Sequence, residues 1–252
     1  MSVSRRKFVK SASAAVALTA IGSRAGAPVN GPEVLGDARG GAEGVKELAM
    51  RGVEAARAAG AQYADARIAR YRSQSVQTRE RRVQGLQDNE TEGVGIRALV
   101  DGAWGFGATP ILTSDSVGPV PRQAGRQARA NKAGVSRPIV LAPYGPAQTG
   151  TWRSPIKTDP FTIPIADKAE ILLAANAAAV GVRGVRFASS GVNFLREEKW
   201  FANSEGSYTE QVLYRCSPNM NVTAVAADNS DFQSRNATEI SPRGLGYEYF
   251  LA

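Results

Sequence analysis

Glu92-Gly93-Val94-Gly95-Ile96-Arg97-Ala98-Leu99-Val100-Asp101-Gly102-Ala103-Trp104-Gly105-Phe106-Gly107-Ala108-Thr109 decides how this chain is read. Val94, Ile96, Ala98 and Val100 alternate with Gly95 and Arg97, the period-two pattern of a strand with one buried face. Asp101-Gly102 is a two-residue hairpin signal of the type that needs positive φ at both central positions, and Ala103 to Thr109 returns as the partner strand. A β-branched residue at Gly102 is therefore expected to strain the turn. Arg97 falls on the face opposite Val94 and Ile96, so its replacement by Gln is expected to leave the fold nearly intact. The glycines of the stretch are wrongly spaced for a GxGxxG or GxxxxGK phosphate loop and read as tight turns and close strand packing.

Toward the N-terminus, Ala64, Ala66 and Ile68 alternate with Asp65 and Arg67, which predicts a strand from Tyr63 to Ile68. Before it, Val45, Leu48, Ala49, Val53 and Ala56 recur at helical steps, so Ala42 to Ala59 is predicted as an amphipathic helix stopped by Gly60. Ser75 to Leu86 is polar and reads as a long edge or solvent-facing strand. Toward the C-terminus, Ser114 to Asn131 is helical in its later part, and Gly134 to Pro160, with five prolines, is a long connector. Ile165 to Val180 is an Ala/Leu-rich helix. Val182 to Ala188, Val192 to Ala202, Tyr208 to Cys216 and Asn221 to Ala227 read as an antiparallel meander, with Asn203-Ser204-Glu205-Gly206 as a turn. The apolar run Tyr247 to Ala252 reads either as a terminal core strand or as the point where a longer chain is cut. Runs of helix and meander, without strict βαβ alternation, give an α+β fold: a two-layer sandwich of antiparallel sheet and helices.

The chain has 252 residues, no histidine and one cysteine, Cys216. A Ser-His-Asp triad, a Cys-His dyad and a His-ligated zinc are excluded within it, as is an internal disulfide. Cys216 reads as a small buried residue on a strand. Glu197-Glu198 resembles a catalytic carboxylate pair, but neighbouring strand residues point to opposite faces. Arg79-Glu80-Arg81-Arg82 and the helical set Arg122, Arg126, Arg129 read as solvated faces, without the interleaved aromatics of a nucleic-acid surface. Asn89, Asn221 and Asn236 open N-x-T triplets, which arise readily by chance.

The formal charge of +8 has a local origin. Arg5, Arg6, Lys7, Lys10 and Arg24 lie in an opening segment without acids; leaving them out, 26 basic residues face 23 acidic ones. Ser4-Arg5-Arg6-Lys7-Phe8-Val9-Lys10 is followed by a modestly apolar stretch, Ala12 to Ile21, and then by Ala25-Gly26-Ala27, an A-x-A cleavage site. That order is the pattern of a twin-arginine export signal over residues 1–27, cut after Ala27. The apolar stretch is too short for a stable membrane span. Residues 28–41, rich in Gly and Pro, form a linker to a domain over residues 42–252.

Four segments together resemble the TldD/PmbA family. Ala58 to Ile68 is similar to its "GA-x-YAD-x-R" opening, and Glu92 to Thr109 to its "GVGIR…DGAWGFA" hairpin. Trp152 with Asp159-Pro160-Phe161 and Lys168 resembles the "DPF…K" entry to the central helix, and Phe201 to Gly206 the "F-x-NSEG" turn. The resemblance covers roughly Val45 to Tyr247. It implies the N-terminal domain of a two-domain zinc metallopeptidase that degrades peptides or small unfolded proteins inside a closed homo- or heterodimer. It places the zinc in a second domain, on an HExxxH helix with a further downstream ligand: two His and a Cys hold the metal, and the Glu activates water. None of these residues matches a position here, so the chain is expected to be inactive alone, with no metal or cofactor site of its own. It is expected to act as a lid, dimerisation and substrate-tunnel domain. Arg97, Trp104 and Phe106 are the candidates for the tunnel wall; packing of the hairpin on its own sheet is the alternative role. Export places the protein in the periplasm, whereas family members are usually cytoplasmic. The family's link to DNA gyrase modulation finds no support in these residues. A non-enzymatic exported binding or scaffold domain is the alternative function.

Overall fold

The computed structural model describes residues 42–252 except Tyr144. The signal residues Arg5, Arg6, Ala25 and Ala27, and the linker 28–41, lie outside the described residues.

Helix α1 (Ala42–Ala58) leads into three antiparallel strands, β1 (Tyr63–Arg79), β2 (Arg82–Val100) and β3 (Ala103–Thr109). Next come a short helix α2 (Ser114–Val117) and helix α3 (Val120–Asn131). After the connector follow β4 (Thr149–Arg153), a 3₁₀ turn (Pro160–Thr162) and helix α4 (Ile165–Val180). Two long strands, β5 (Val185–Asn203) and β6 (Tyr208–Val225), then β7 (Phe232–Asn236) and a short helix α5 (Tyr247–Phe250) complete the described chain. One seven-stranded sheet results, in the order β3-β2-β1-β5-β6-β4, with β7 also pairing β6. All pairs are antiparallel except β4 with β6. The α+β expectation holds, and the helices form one layer on one face of this sheet.

Strand alternation shows why. Ala64, Ala66, Ile68 and Val76 of β1, Val94, Ile96, Ala98 and Val100 of β2, and Val192, Phe194, Trp200 and Ala202 of β5 are buried and share that face. One apolar cluster joins its β2 end to α1 and α3 through Val45, Val53, Ala124 and Ala128. A second joins its other end to α4 and α5 through Leu172, Phe194 and Tyr247. Between the two clusters the same face turns polar. Arg70 pairs with Glu92 at 2.9 Å, Arg196 with Glu198 at 3.1 Å, and the Arg72 and Arg196 guanidinium groups lie 4.9 and 5.8 Å from the Phe161 ring.

This polar seam accounts for one of the corrections, the unexpected continuity of β1. β1 runs on through Ala69–Gln74 to Arg79, although Arg70, Arg72 and Gln74 break the apolar alternation beneath the seam. Ser75 to Leu86 is not one strand: a turn at Glu80, with φ 45°, divides it between β1 and β2. Its first half lies inside the sheet, paired on both sides, and its second half pairs only with β1. The four-stranded meander is two long strands, because β5 crosses Ser189–Gly191 and β6 crosses Ser217–Asn219 without a break. Pro218 is tolerated because the N–H two residues earlier, of Cys216, points to the outer edge and donates to Arg243 O at 2.9 Å; the missing proline N–H falls on that same side. The connector contains β4, and the closing aromatic run is a helical turn packed on Phe194, not a strand.

The hairpin turn is as read: Asp101 and Gly102 have φ 50° and 76°. The glycines after it have a more specific cause. A Cβ on Gly105 would lie 2.0 Å from Ala124 O, and one on Gly107 2.7 Å from Val120 O. Helix α3 thus rests backbone to backbone on β3. Arg122, Arg126 and Arg129 occupy its exposed side.

Candidate functional site: the uncovered sheet face

On the face away from the helices, alternation gathers Asp65, Arg67 and Tyr71 of β1, Arg97 of β2, Phe106 of β3 and Glu197, Lys199 and Phe201 of β5. The register sets Arg97 opposite Phe106 and Leu99 opposite Trp104, so the three tunnel-wall candidates form one group. The Arg97 guanidinium lies 5.0 Å from the Trp104 ring centre, and Trp104 meets Tyr63 edge to face at 5.7 Å. Phe106 is 52% exposed, its ring over Gly95, where a Cβ would come within 2.8 Å of it.

Arg97 also has a structural duty that its position on a strand does not reveal. Its Nη2 and Nε donate to both carboxylate oxygens of Asp65, the Nη2 bond measuring 2.5 Å, and Asp65 is fully buried. Arg67 stands 3.7 Å from the same carboxylate. The expectation that Gln would serve at Arg97 rested on a solvated face and is corrected here: the carboxylate beneath would lose its main partner.

A second charged group lies farther along this face. Glu197 is buried; its Oε1 accepts from the Tyr71 hydroxyl at 2.9 Å and faces Lys199 Nζ at 3.0 Å, while Oε2 faces Arg215 at 3.5 Å. Glu198 points to the helix side and pairs with Arg196. The two carboxylates therefore lie on opposite faces, and each is spent on ion pairs. The "NSEG" segment is a turn built by its side chains: Asn203 Oδ1 accepts from Glu205 N and Ser207 N, and Ser204 Oγ from Ala64 N. The "DPF…K" segment anchors α4. Asp159 Oδ1 accepts from Phe161 N, and the fully buried Lys168 Nζ donates to Gln74 Oε1, Pro160 O and Ile163 O. Burial without a carboxylate partner pushes the Lys168 pKa down. The Lys168–Gln74 bond was not legible in sequence, because its partners lie far apart along the chain.

A zinc ion does not fit this chain's residues. There is no histidine. Cys216 is fully buried, and burial pushes its thiol up to about 12, away from the thiolate a metal needs. Among the described residues no three His, Cys, Asp or Glu side chains are grouped to hold a metal. Among the described residues, too, no helix is long and apolar enough to cross a membrane.

Comparison with known proteins agrees with this geometry. The PmbA/TldA metallopeptidase domain 1 matches residues 64–131, and the PmbA/TldA metallopeptidase central domain matches residues 158–251. The metalloprotease MJ0996 of Methanocaldococcus jannaschii is 25% identical over 173 residues, covering 68% of this chain and 37% of its own length. A metalloprotease of Methanothermobacter thermautotrophicus is 29% identical over 174 residues, covering 68% of this chain and 36% of its own. The chain thus spans little more than a third of the length of these curated relatives. Among solved structures, a protein described as a modulator of DNA gyrase from Bacteroides thetaiotaomicron superposes with a TM-score of 0.59 at 17% identity, over 82% of this chain and 48% of that one. A second protein so described, from Thermotoga maritima, gives 0.56 at 15% identity, over 76% and 42%. These two likenesses show the fold. With both family models matched in order along one sheet, the chain belongs to the TldD/PmbA metallopeptidase family and corresponds to its N-terminal region.

Proposed function

We propose that this chain is the non-catalytic half of a zinc metallopeptidase: it walls the path of a peptide, while the zinc and the base that activates water come from other residues. The observation that carries this reading is the donor set. A family member with no histidine and a single buried, protonated cysteine lacks the His and Cys ligands expected to hold the family's zinc, and its carboxylates are not grouped for a metal among the described residues. The uncovered sheet face supports the walling role, since Arg97, Trp104 and Phe106 stand together on it beside Arg67 and Phe201, whose guanidinium and ring lie 5.6 Å apart. Such a mixed aromatic and cationic surface suits an extended peptide or the matching face of a TldD/PmbA-type subunit in a homo- or heterodimer.

Metal analysis tests the donor argument. Purified protein dialysed against chelator and then against zinc should retain no stoichiometric zinc and should not cleave casein. One bound equivalent per chain would overturn the reading. The proposal includes export through the twin-arginine route and removal of residues 1–27. Changing Arg5 and Arg6 together to Lys should hold the precursor in the cytoplasm; an undiminished periplasmic yield would refute export by this signal.

A further inference from the structure

One stretch of the sheet's edge has no cover. The first part of β2, residues 82–93, is bonded to β1 on one side and, among the described residues, to no strand on the other. The direction of its backbone groups follows from Leu99, whose C=O accepts from Gln62 N at 2.8 Å on the β1 side. Alternation then turns the N–H and C=O of Leu86, Asp88 and Glu90 to the open side. The β3 edge is closed by helix α3: Gln127 Oε1 accepts from Phe106 N at 2.7 Å, and Asn131 Nδ2 donates to Trp104 O at 2.9 Å. Among the described residues nothing caps the Leu86, Asp88 or Glu90 backbone in this way, and Leu86 is 50% exposed. Such an edge is a template for another strand, and its charges decide which one.

Four charged residues lie on this stretch: Arg82, Asp88, Glu90 and Glu92. Asp88 is taken up by Arg72 at 3.4 Å and Gln74 at 2.9 Å, and Glu92 by Arg70 at 2.9 Å. Arg82 and Glu90 form no ion pair among the described residues, and they stand four residues either side of Leu86. A strand with an unspent cation and an unspent anion at equal distances from its centre is complementary to itself run in reverse. We propose that this edge of β2 pairs antiparallel with the same edge of a second copy of the chain, about a two-fold axis at Leu86. That register sets the Arg81-Arg82 end of each copy beside Glu90 of the other and brings the two exposed Leu86 side chains together. The strand is irregular at Gln84, so either arginine can make the contact. An axis at Asp88 would set two carboxylates against each other, and a parallel partner in register would align like charges. Charge thus selects a closed pair over an open run of strands. The pairing leaves the uncovered face free for a peptide, and it rests on the edge, not on the peptidase reading.

Sedimentation equilibrium of the whole chain tests this. The parent should form a dimer. Glu90→Arg and Arg81→Glu/Arg82→Glu each turn both symmetric contacts from attraction to repulsion, so each variant should dimerise about a hundredfold more weakly. Mixed together, the two variants should form a heterodimer, since each offers the charge the other needs. One chain carrying all three substitutions should dimerise like the parent. Leu86→Cys should give a disulfide-linked dimer on oxidation by copper–phenanthroline, because paired Cα atoms lie about 5.5 Å apart and Cys216 is buried; Gln123→Cys on α3 should not. A monomeric parent, undiminished dimerisation of either charge variant, no association in the mixture, or cross-linking at Gln123→Cys as strong as at Leu86→Cys would each overturn the edge pairing. No arm reads zinc or cleavage, so failure here leaves the peptidase reading standing, and failure of the zinc test leaves this interface standing.

Discussion

At the scale of single residues, Arg97 shows how a side chain on the uncovered face holds the domain together. Asp65 is fully buried, while the Arg97 side chain keeps 41% of its surface in water. Breaking a wholly buried pair costs roughly 3–5 kcal/mol, and solvent screening at the half-exposed guanidinium reduces that. Arg67 remains nearby as a weaker partner. Arg97→Gln should therefore destabilise the chain by about 1–2 kcal/mol, read as a lower urea midpoint at unchanged slope. A midpoint equal to the parent's would mean that Arg97 serves the surface alone and not Asp65.

At the scale of elements, the hairpin and α3 act as one unit. Its tightness comes from the absence of side chains at Gly105 and Gly107, not from apolar bulk. A methyl group at Gly105 would meet Ala124 O at 2.0 Å and Ala128 N at 2.4 Å, both backbone atoms that move only if the helix moves. Overpacking costs about 1–3 kcal/mol where neighbours can yield, and a backbone clash belongs at the upper end. Gly105→Ala should lower stability by about 3 kcal/mol. Gly85→Ala, at a strand position with open space around it, should be neutral or slightly stabilising, since Ala orders at less entropic cost than Gly. The pair is compared by chemical denaturation; equal midpoints would show that α3 does not press on β3 as described. Gly102 combines both effects, a φ of 76° and a Cβ position 2.6 Å from Pro138, so the strain expected there has a steric partner in the connector.

At the scale of the whole molecule, two apolar clusters lie at opposite ends of one sheet face, with a polar seam between them. The family models also meet the chain as two segments. Continuity is supplied by β1 and β5, which pair from Asp65 with Asn203 to Arg79 with Ser189 and so run beneath both clusters. Neither cluster can lose its sheet without unzipping strands shared with the other. Unfolding should therefore be a single transition, with tryptophan fluorescence and far-UV circular dichroism tracing the same urea curve. With the exposed Trp152 of β4 replaced by Phe, the remaining Trp104 and Trp200 report on the β2 end, whereas the dichroism also follows α4. Separated curves would mean that the two segments are independent folding units.

Sequence alone determined the fold class, the α1, α3 and α4 helices, the primed hairpin turn at Asp101-Gly102 and the family, because each rests on local periodicity, turn chemistry or short motifs. It also determined that zinc cannot be held by histidine here, since that is a matter of composition. Only the tertiary structure decided that β1, β5 and β6 run unbroken. In β1 the apolar rhythm fails where Arg70 and Arg72 pair with carboxylates of β2, and in β5 and β6 the turn-forming residues Ser189-Ser190-Gly191 and Ser217-Pro218-Asn219 are held in the ladder by the partner strand. Nor could local sequence join Arg97 to Asp65, Lys168 to Gln74 or Asn176 to Thr78. These partners lie 32, 94 and 98 residues apart, and a polar side chain shows nothing of its burial until the sheet has brought its partner into reach.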